Sequence, residues 1–308
     1  MTTRNGDYMN LNGKIVPFAD ARIHCLAPAI TYSANVFEGL RAYWNAEQEQ
    51  LYVFRLEEHL ERLDYSIRVM RFGAHRWTRD LLREGLLELC RKNDVRESAH
   101  LRIHVYLDED GFMTATGPVG MFMSCVFRPT TEQAISGCSA QVSSWTRLSD
   151  NSSPPRVKTS ANYVNGRLAS MQAKQDGYHA AILLTDRGTV SEGPGACLFV
   201  VRNGVPITPD LSQNILESIT RDTLITGFRE WLGLEVQQRA IGRSELYACD
   251  EVFFCGTGQE VLPVTSIDGI PVGDGKVGPL TRQMQQRYFD LVSGRDTAHA
   301  DWRTPVYA

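Results

Sequence analysis

The apolar positions of this 308-residue chain change period several times, and each change marks an element. Leu51-Tyr52-Val53-Phe54 reads as a strand. After it Leu56, Leu60, Leu63, Ile67 and Met70 recur at i+4 and i+3, the spacing of one helix face. A second helical stretch runs near Leu81 to Arg91. From His100 to Asp108 the period drops to two: Leu101, Ile103, Val105 and Leu107 point one way, and His100, Arg102, His104 and Tyr106 the other. Asp110-Gly111 offers a turn, and Val119 to Phe127 reads as a buried strand that Arg128-Pro129-Thr130-Thr131 ends.

The polar stretch 128–136 reads as an interdomain linker, which leaves a small N-terminal α+β domain at 1–127 and a large C-terminal one at 137–308. The second domain opens with a strand near Ser139 to Ser144. A Pro-rich loop, Asp150 to Pro155, leads to Lys158 and then to a helix whose apolar side is Val164, Leu168 and Met171, stopped at Gly177. Three strands follow, Ala180–Thr185, Thr189–Val201 (interrupted by Gly193-Pro194-Gly195) and Val205–Thr208. Their turns, Asp186-Arg187-Gly188 and Arg202-Asn203-Gly204, carry residues that tolerate positive φ. A helix with Leu224, Phe228, Trp231 and Leu232 runs to Gly233, a strand covers Glu251 to Cys255, and Pro279 starts a last helix with Leu280, Met284, Tyr288 and Leu291 on one side. Hairpins with helices between them predict two α+β domains, not a doubly wound parallel sheet.

Composition narrows function by exclusion. A hydrophobic fraction of 43% is that of an ordinary globular protein, and the net charge of −4 gives no electrostatic reason to bind nucleic acid or an anionic membrane. The longest apolar stretch is too short to span a bilayer, and Met1 to Asn10 has no signal core. Seven cysteines with no Cys-x-x-Cys pair argue against a disulfide framework or a zinc site, so each reads as a small buried apolar residue and a cytoplasmic location is the default. His100 and His104 share a strand face without a third ligand, so no metal is expected. There is no dinucleotide glycine fingerprint, Walker lysine, Gly-x-Ser-x-Gly elbow or His-Glu-x-x-His helix.

Two residues remain unusual. Lys158 stands at a loop-to-helix junction, Val157-Lys158-Thr159-Ser160-Ala161-Asn162-Tyr163. A lysine that attacks an aldehyde needs a lowered pKa, which burial or a nearby cation supplies; the plainer reading is a solvated surface lysine. Glu192 sits directly before Gly193-Pro194-Gly195, between two apolar segments. Either it is a turn acid facing water, or it is an acid held against a cationic heterocycle, with the glycines letting backbone approach a flat ligand.

Taken in order, six segments resemble the fold type IV pyridoxal-phosphate (PLP) enzymes, most closely the branched-chain amino acid aminotransferases. They are Val36 to Tyr43, Phe54 to Leu63, Lys158 with Asn162-Tyr163, Ser191-Glu192-Gly193, Ile219-Thr220-Arg221-Asp222, and Val252 to Thr257. The resemblance implies a two-domain α+β fold like that of D-amino-acid aminotransferase. It also implies a pyridoxal 5′-phosphate cofactor carried by Lys158 as a Schiff base, with the same lysine shuttling the substrate proton. Glu192 would pair with the pyridine nitrogen and Tyr163 with the phenolic oxygen. Arg62, Ile219, Thr220 and Thr257 would hold the phosphate. The substrate would meet Tyr32, Phe37, Gly39, Arg41, Arg102, Thr257 and Gly258. Read by helix angle alone, Arg62 lies some 120° from the apolar face of its helix, where a solvated arginine belongs. Arg102 by alternation sits on a polar strand face with His100 and Tyr106, and the plainer alternative is a strand side facing solvent.

The implied reaction moves an amino group from an L-amino acid, branched-chain or similar, to 2-oxoglutarate or a related 2-oxo acid, in a homodimer or larger oligomer. Members of that family usually have an aromatic residue at His100, a proline at Ile103 and glycines at Asp108 and Ser33. These departures predict a more polar, broadened donor pocket. A D-amino-acid or (R)-amine transaminase is the nearest alternative, but 108–118 lacks an Arg-x-His element. A PLP lyase such as aminodeoxychorismate lyase and a non-catalytic binding protein are two others.

Overall fold

In the computed structural model, which describes residues 3–129 and 132–307, the chain opens with three strands, β1 (Arg4–Asn5), β2 (Tyr8–Leu11) and β3 (Lys14–Pro17). Asn12 and Gly13 join the last two with positive φ at both residues, the turn that a right-handed strand twist favours. Then come α1 (Pro28–Thr31), β4 (Asn35–Asn45), β5 (Gln50–Phe54), α2 (Leu56–Val69), α3 (Arg79–Lys92), β6 (Ala99–Leu107) and β7 (Val119–Phe127). They build an antiparallel sheet in the order β5-β4-β6-β7-β2-β3, with β1 against β7 and the strand Arg303–Pro305 added outside β5. Val36, Leu40, Leu101, Ile103, Val105, Met121 and Met123 form its inner face and pack on Leu60 and Leu63 of α2 and Leu82 and Leu86 of α3. Burying each such side chain contributes about 2 kcal/mol.

The second half contains α4 (Glu132–Ser136), β8 (Cys138–Thr146), α5 (Ala161–Gln175), β9 (Ala180–Leu184), β10 (Cys197–Arg202), β11 (Val205–Thr208) and α6 (Ile219–Leu232). After them come β12 (Gln237–Gln238), β13 (Glu251–Gly256), β14 (Glu260–Ile267), β15 (Ile270–Pro271) and α7 (Pro279–Val292). The sheet order is β12-β11-β10-β13-β14-β8-β9, with β15 on β14. Strands β8 and β9 are parallel because helix α5 carries the chain back between them. Strands β10 and β11 form a hairpin closed by Asn203 and Gly204, both at positive φ. Both halves are α+β, as the sequence pattern predicts.

Contacts divide the chain less simply than one cut at a linker. The first unit takes the chain up to Pro129, the short segment Val157–Ala161 and the chain from Asp290 onward; the second takes the rest. The C-terminal stretch joins the first unit because Arg303–Pro305 hydrogen-bonds along β5. Within 128–136, helix α4 occupies Glu132–Ser136, while Thr130 and Thr131 lie outside the described residues.

Helix α5 reverses the face assigned to it from sequence. Val164, Leu168 and Met171 are exposed, and the buried positions are Asn162, Gly166, Ala169 and Ala173. Small residues win because the helix lies close: Ala169 and Ala173 pack on Ala181 and Leu183 of β9, and a Cβ on Gly166 would stand 2.7 Å from the carbonyl oxygen of Pro194. Gly166→Ala should therefore destabilise the protein by about 1 kcal/mol or more despite alanine's better helix propensity. Urea unfolding measures it; a stabilised variant would contradict the close packing.

Candidate active site

Strand β4 has one residue out of character. Its inner positions are Val36, Leu40 and Ala42, and between them, on the same face, stands Glu38, fully buried. Arg62 of α2 meets it side-on, donating Nε to Oε1 at 2.8 Å and Nη2 to Oε2 at 2.7 Å. His59 Nδ1 lies 2.7 Å from Oε2. Burial alone would raise the Glu38 carboxyl, but the charge and hydrogen bonds of Arg62, with the hydrogen bond from His59, outweigh it and bring it down to about 2. An ionised Glu38 can only accept, so His59 donates through Nδ1. Burial holds His59 below its usual pKa, against the opposing pull of Glu38, which leaves the neutral ring with a bare Nε2. Arg62 is thus not the solvated arginine that helix angle suggests; its side chain is 11% exposed.

Lys158 belongs to the first unit by three tethers. Its carbonyl accepts from Phe37 N–H at 2.9 Å, its own N–H donates to Ser66 Oγ at 3.2 Å, and Thr159 bridges Val36. Thr159 Oγ1 also donates to the Asn35 carbonyl. Ser66 follows Arg62 by one helical turn, so one edge of α2 carries Arg62 and anchors Lys158. The lysine is half-buried, and its Nζ stands 5.0 Å from the centre of the Phe37 ring. That setting excludes a fully solvated surface lysine.

Phe37, Gly39 and Arg41 occupy the other face of β4, opposite His104, Arg102 and His100 of β6 in register. His104 is stacked between Phe37 and Phe122, with ring centres 5.0 and 4.3 Å away. Burial first, then Arg102, Arg41, Arg128 and Lys158 in turn, hold His100 down to about 3; burial and Arg102 do the same to His104. Both rings are neutral at pH 7. Arg41 is buried and donates Nη1 to the Arg128 carbonyl at 2.8 Å, whereas Arg102 is exposed and its side chain makes no hydrogen bond or ion pair among the described residues. Tyr32 is exposed at the C-terminal end of α1, and Ser33 beside it has φ +55°, a conformation glycine adopts more easily.

In the second unit Glu192 is 4% exposed, so it is not a turn acid facing water. Arg147 donates Nε to Oε1 at 3.0 Å, and its Nη2 lies 2.9 Å from the same oxygen. Leu216 N–H and the Cys197 thiol donate to Oε2. Gly193 admits no side chain, since a Cβ there would lie 2.8 Å from the Phe254 ring. Tyr163 is half-buried on the first turns of α5, within reach of Gly195. Its neighbour Asn162 binds Ser153 and the Pro154 carbonyl, fixing the Pro-rich loop. Ser218 caps α6 by accepting from Arg221 N–H, which sets Ile219 and Thr220 as its first two residues, both buried. Thr257 and Gly258 are half-buried in the turn after β13.

Each unit by itself carries part of what pyridoxal phosphate requires. The first offers an amine on a backbone-fixed segment and a buried, oriented guanidinium; the second offers a buried carboxylate, a glycine-lined approach and a capped helix N-terminus. Sequence reading overlooked Glu38, His59 and Arg147 as site residues. Glu38 had a usable signal, a carboxylate in the apolar set of an alternating strand; Arg147, just past β8, had none.

Two α+β units of this topology with these residues define a fold type IV PLP enzyme. The chain belongs to the amino-transferase class IV family, whose model matches residues 35–267. It is 40% identical to the probable branched-chain-amino-acid aminotransferase of Aquifex aeolicus (strain VF5), over 98% of this chain and 97% of that protein. Among solved structures, the PLP-form branched-chain amino acid aminotransferase from Thermobaculum terrenum superposes with a TM-score of 0.91 at 39% identity, covering 99% of both chains. The branched-chain aminotransferase from the archaeon Thermoproteus uzoniensis, solved with norvaline, gives 0.91 at 34% identity, over 98% of this chain and 100% of that one.

The buried pair has a pH consequence. The folded-state pKa of Glu38 lies below its ordinary value of 4.5, so its stabilisation is full above that pH and is lost as pH falls toward about 2. Glu38→Gln should be less stable than the parent by roughly 3 kcal/mol at pH 7. The gap should close between pH 4.5 and 2 in urea titrations; a gap independent of pH would contradict the ionised pair.

Proposed function

We propose that this PLP-dependent aminotransferase moves the amino group of an L-amino acid, branched-chain or a related hydrophobic one, to 2-oxoglutarate or a similar 2-oxo acid. The observation that carries the reading is the tethering of Lys158 by Phe37, Ser66 and Val36, which presents its amine over the Phe37 face of β4. When bound, pyridoxal phosphate supplies an electron-withdrawing ring that stabilises charge at the substrate α-carbon. Lys158 Nζ holds the cofactor and then moves the proton to and from that carbon. Glu192, held in its Arg147 cradle, holds the proton of the ring nitrogen, and Tyr163 hydrogen-bonds the phenolic oxygen. Arg62, the N–H groups of Ile219 and Thr220, and the Thr257 hydroxyl receive the phosphate. Arg102 and Arg41 meet substrate carboxylates, with Tyr32, Phe37, Gly39, Thr257 and Gly258 shaping the rest.

Neutral His100 and His104 beside Phe37 support a polar, broadened donor pocket. A panel of donors and acceptors in both enantiomers tests this. L-Leucine, L-isoleucine and several more polar L-donors should react with 2-oxoglutarate, D-donors should not, and Lys158→Ala should lose turnover by at least about three orders of magnitude. Turnover of leucine and isoleucine alone would reject the broadened pocket; an active Lys158→Ala would reject the mechanism.

The chain has seven free cysteines and, among the described residues, no helix long and apolar enough to cross a membrane; we assign it to the cytoplasm. We also assign it to a homodimer or larger oligomer. Leu26, Ile30, Phe112 and Met113 of the first unit and Val164, Leu168 and Met171 of the second are large apolar side chains left exposed. Sedimentation should give a dimer or multiple of it; a catalytically competent monomer would overturn the assignment.

A further inference from the structure

Glu38 needs an explanation that the reaction does not provide. It touches no face on which substrate is expected, and its charge cancels that of Arg62, which weakens the attraction of the guanidinium for any anion. A buried ion pair is poor evidence for stability, since two desolvated charges seldom better a well-packed apolar pair. What the pair does supply is geometry. Engaging Nε and Nη2 together fixes the plane of the guanidinium and turns the Nη1 edge away from the carboxylate. His59 in turn occupies Oε2 from Nδ1, so the carboxylate cannot rotate without losing that bond. Arg62 sits one helical turn before Ser66, which holds the backbone of Lys158.

We propose that Glu38 is a positioning residue for cofactor binding: it grips Arg62 side-on, with His59 bracing it, and thereby fixes the orientation in which the guanidinium receives the phosphate. This rests on the assignment of Arg62 to the phosphate, so the test separates the two. The full-length chain, stripped of cofactor, is titrated with pyridoxal phosphate and with pyridoxal, which lacks the phosphate, and the ratio of the two affinities is read.

The parent should prefer pyridoxal phosphate, and Arg62→Ala should remove most of that preference. Glu38→Gln should reduce it about tenfold while leaving pyridoxal affinity within about twofold. A purely structural role would weaken both ligands together and leave the ratio unmoved, which would overturn the proposal. So would a larger ratio, the sign that Glu38 merely cancels charge. If Arg62→Ala leaves the ratio intact, the phosphate assignment itself fails; if Arg62→Ala lowers it and Glu38→Gln does not, only the positioning role fails. Should Glu38→Gln not fold, Arg62→Lys serves instead. It keeps the charge and loses the fork, so the preference should fall, and a retained preference would overturn the proposal.

Discussion

A slip of one residue in the register of β4 would send Glu38 to the opposite face and drive Phe37 into the core, because strand side chains alternate. Both halves of the first unit's chemistry hang on that register. Inward, Glu38 meets Arg62 and His59; outward, Phe37 meets His104 and lies under the amine of Lys158. Eight consecutive residue pairs with β6, from Asn35↔Tyr106 to Ala42↔Ala99, hold the strand in place. The carboxylate enforces the choice more sharply than the apolar residues do. Alternative inward-facing registers would bury Glu38 without its arginine, at a penalty of several kcal/mol.

The same device recurs in the second unit. Glu192 is buried against Arg147 as Glu38 is against Arg62, and each carboxylate takes a further donor on its second oxygen. In both cases a buried acid is kept in contact with a guanidinium that cannot lose its proton. The proposed roles put opposite groups of the two pairs to use: Glu192 would be the working group with Arg147 as its support, and Arg62 would work with Glu38 supporting it. Arg41 shows a milder solution, a buried guanidinium that donates to a backbone carbonyl.

Most of the scaffold is legible in the sequence because its elements are strongly periodic. Strand β6, helices α2 and α3, the Asn203-Gly204 hairpin and the Gly233 stop of α6 all follow from local chemistry. The β2–β3 hairpin escapes the periodic reading, although Asn12-Gly13 announces it. Helix α5 defeats that reading for a definite reason: hydrophobicity locates buried faces only where helices stand at ordinary distances. At close approach, Gly166, Ala169 and Ala173 bury better than Val164, Leu168 and Met171. Arg62 is hidden for a related reason. Angle on a helical wheel measures distance from the apolar centre, whereas Arg62 is held inward by a carboxylate, Glu38, set among the apolar residues of the facing strand.

The face of the first sheet that carries Phe37, Arg41 and Arg102 joins sequence departures to chemistry. His100 stands where an aromatic residue is usual in the family, yet the change adds no charge. Burial and the cations around it, Arg102, Arg41, Arg128 and Lys158, keep the ring neutral, so His100 adds no positive charge to this face at pH 7. His100 therefore alters the pocket by polarity and shape, through a ring nitrogen able to give or take one hydrogen bond. His104 is fixed between Phe37 and Phe122 and has less freedom to do so. On the proposed reading, a donor carrying a polar side chain would meet a neutral partner at His100 while Arg41 and Arg102 of the same strand face stay charged.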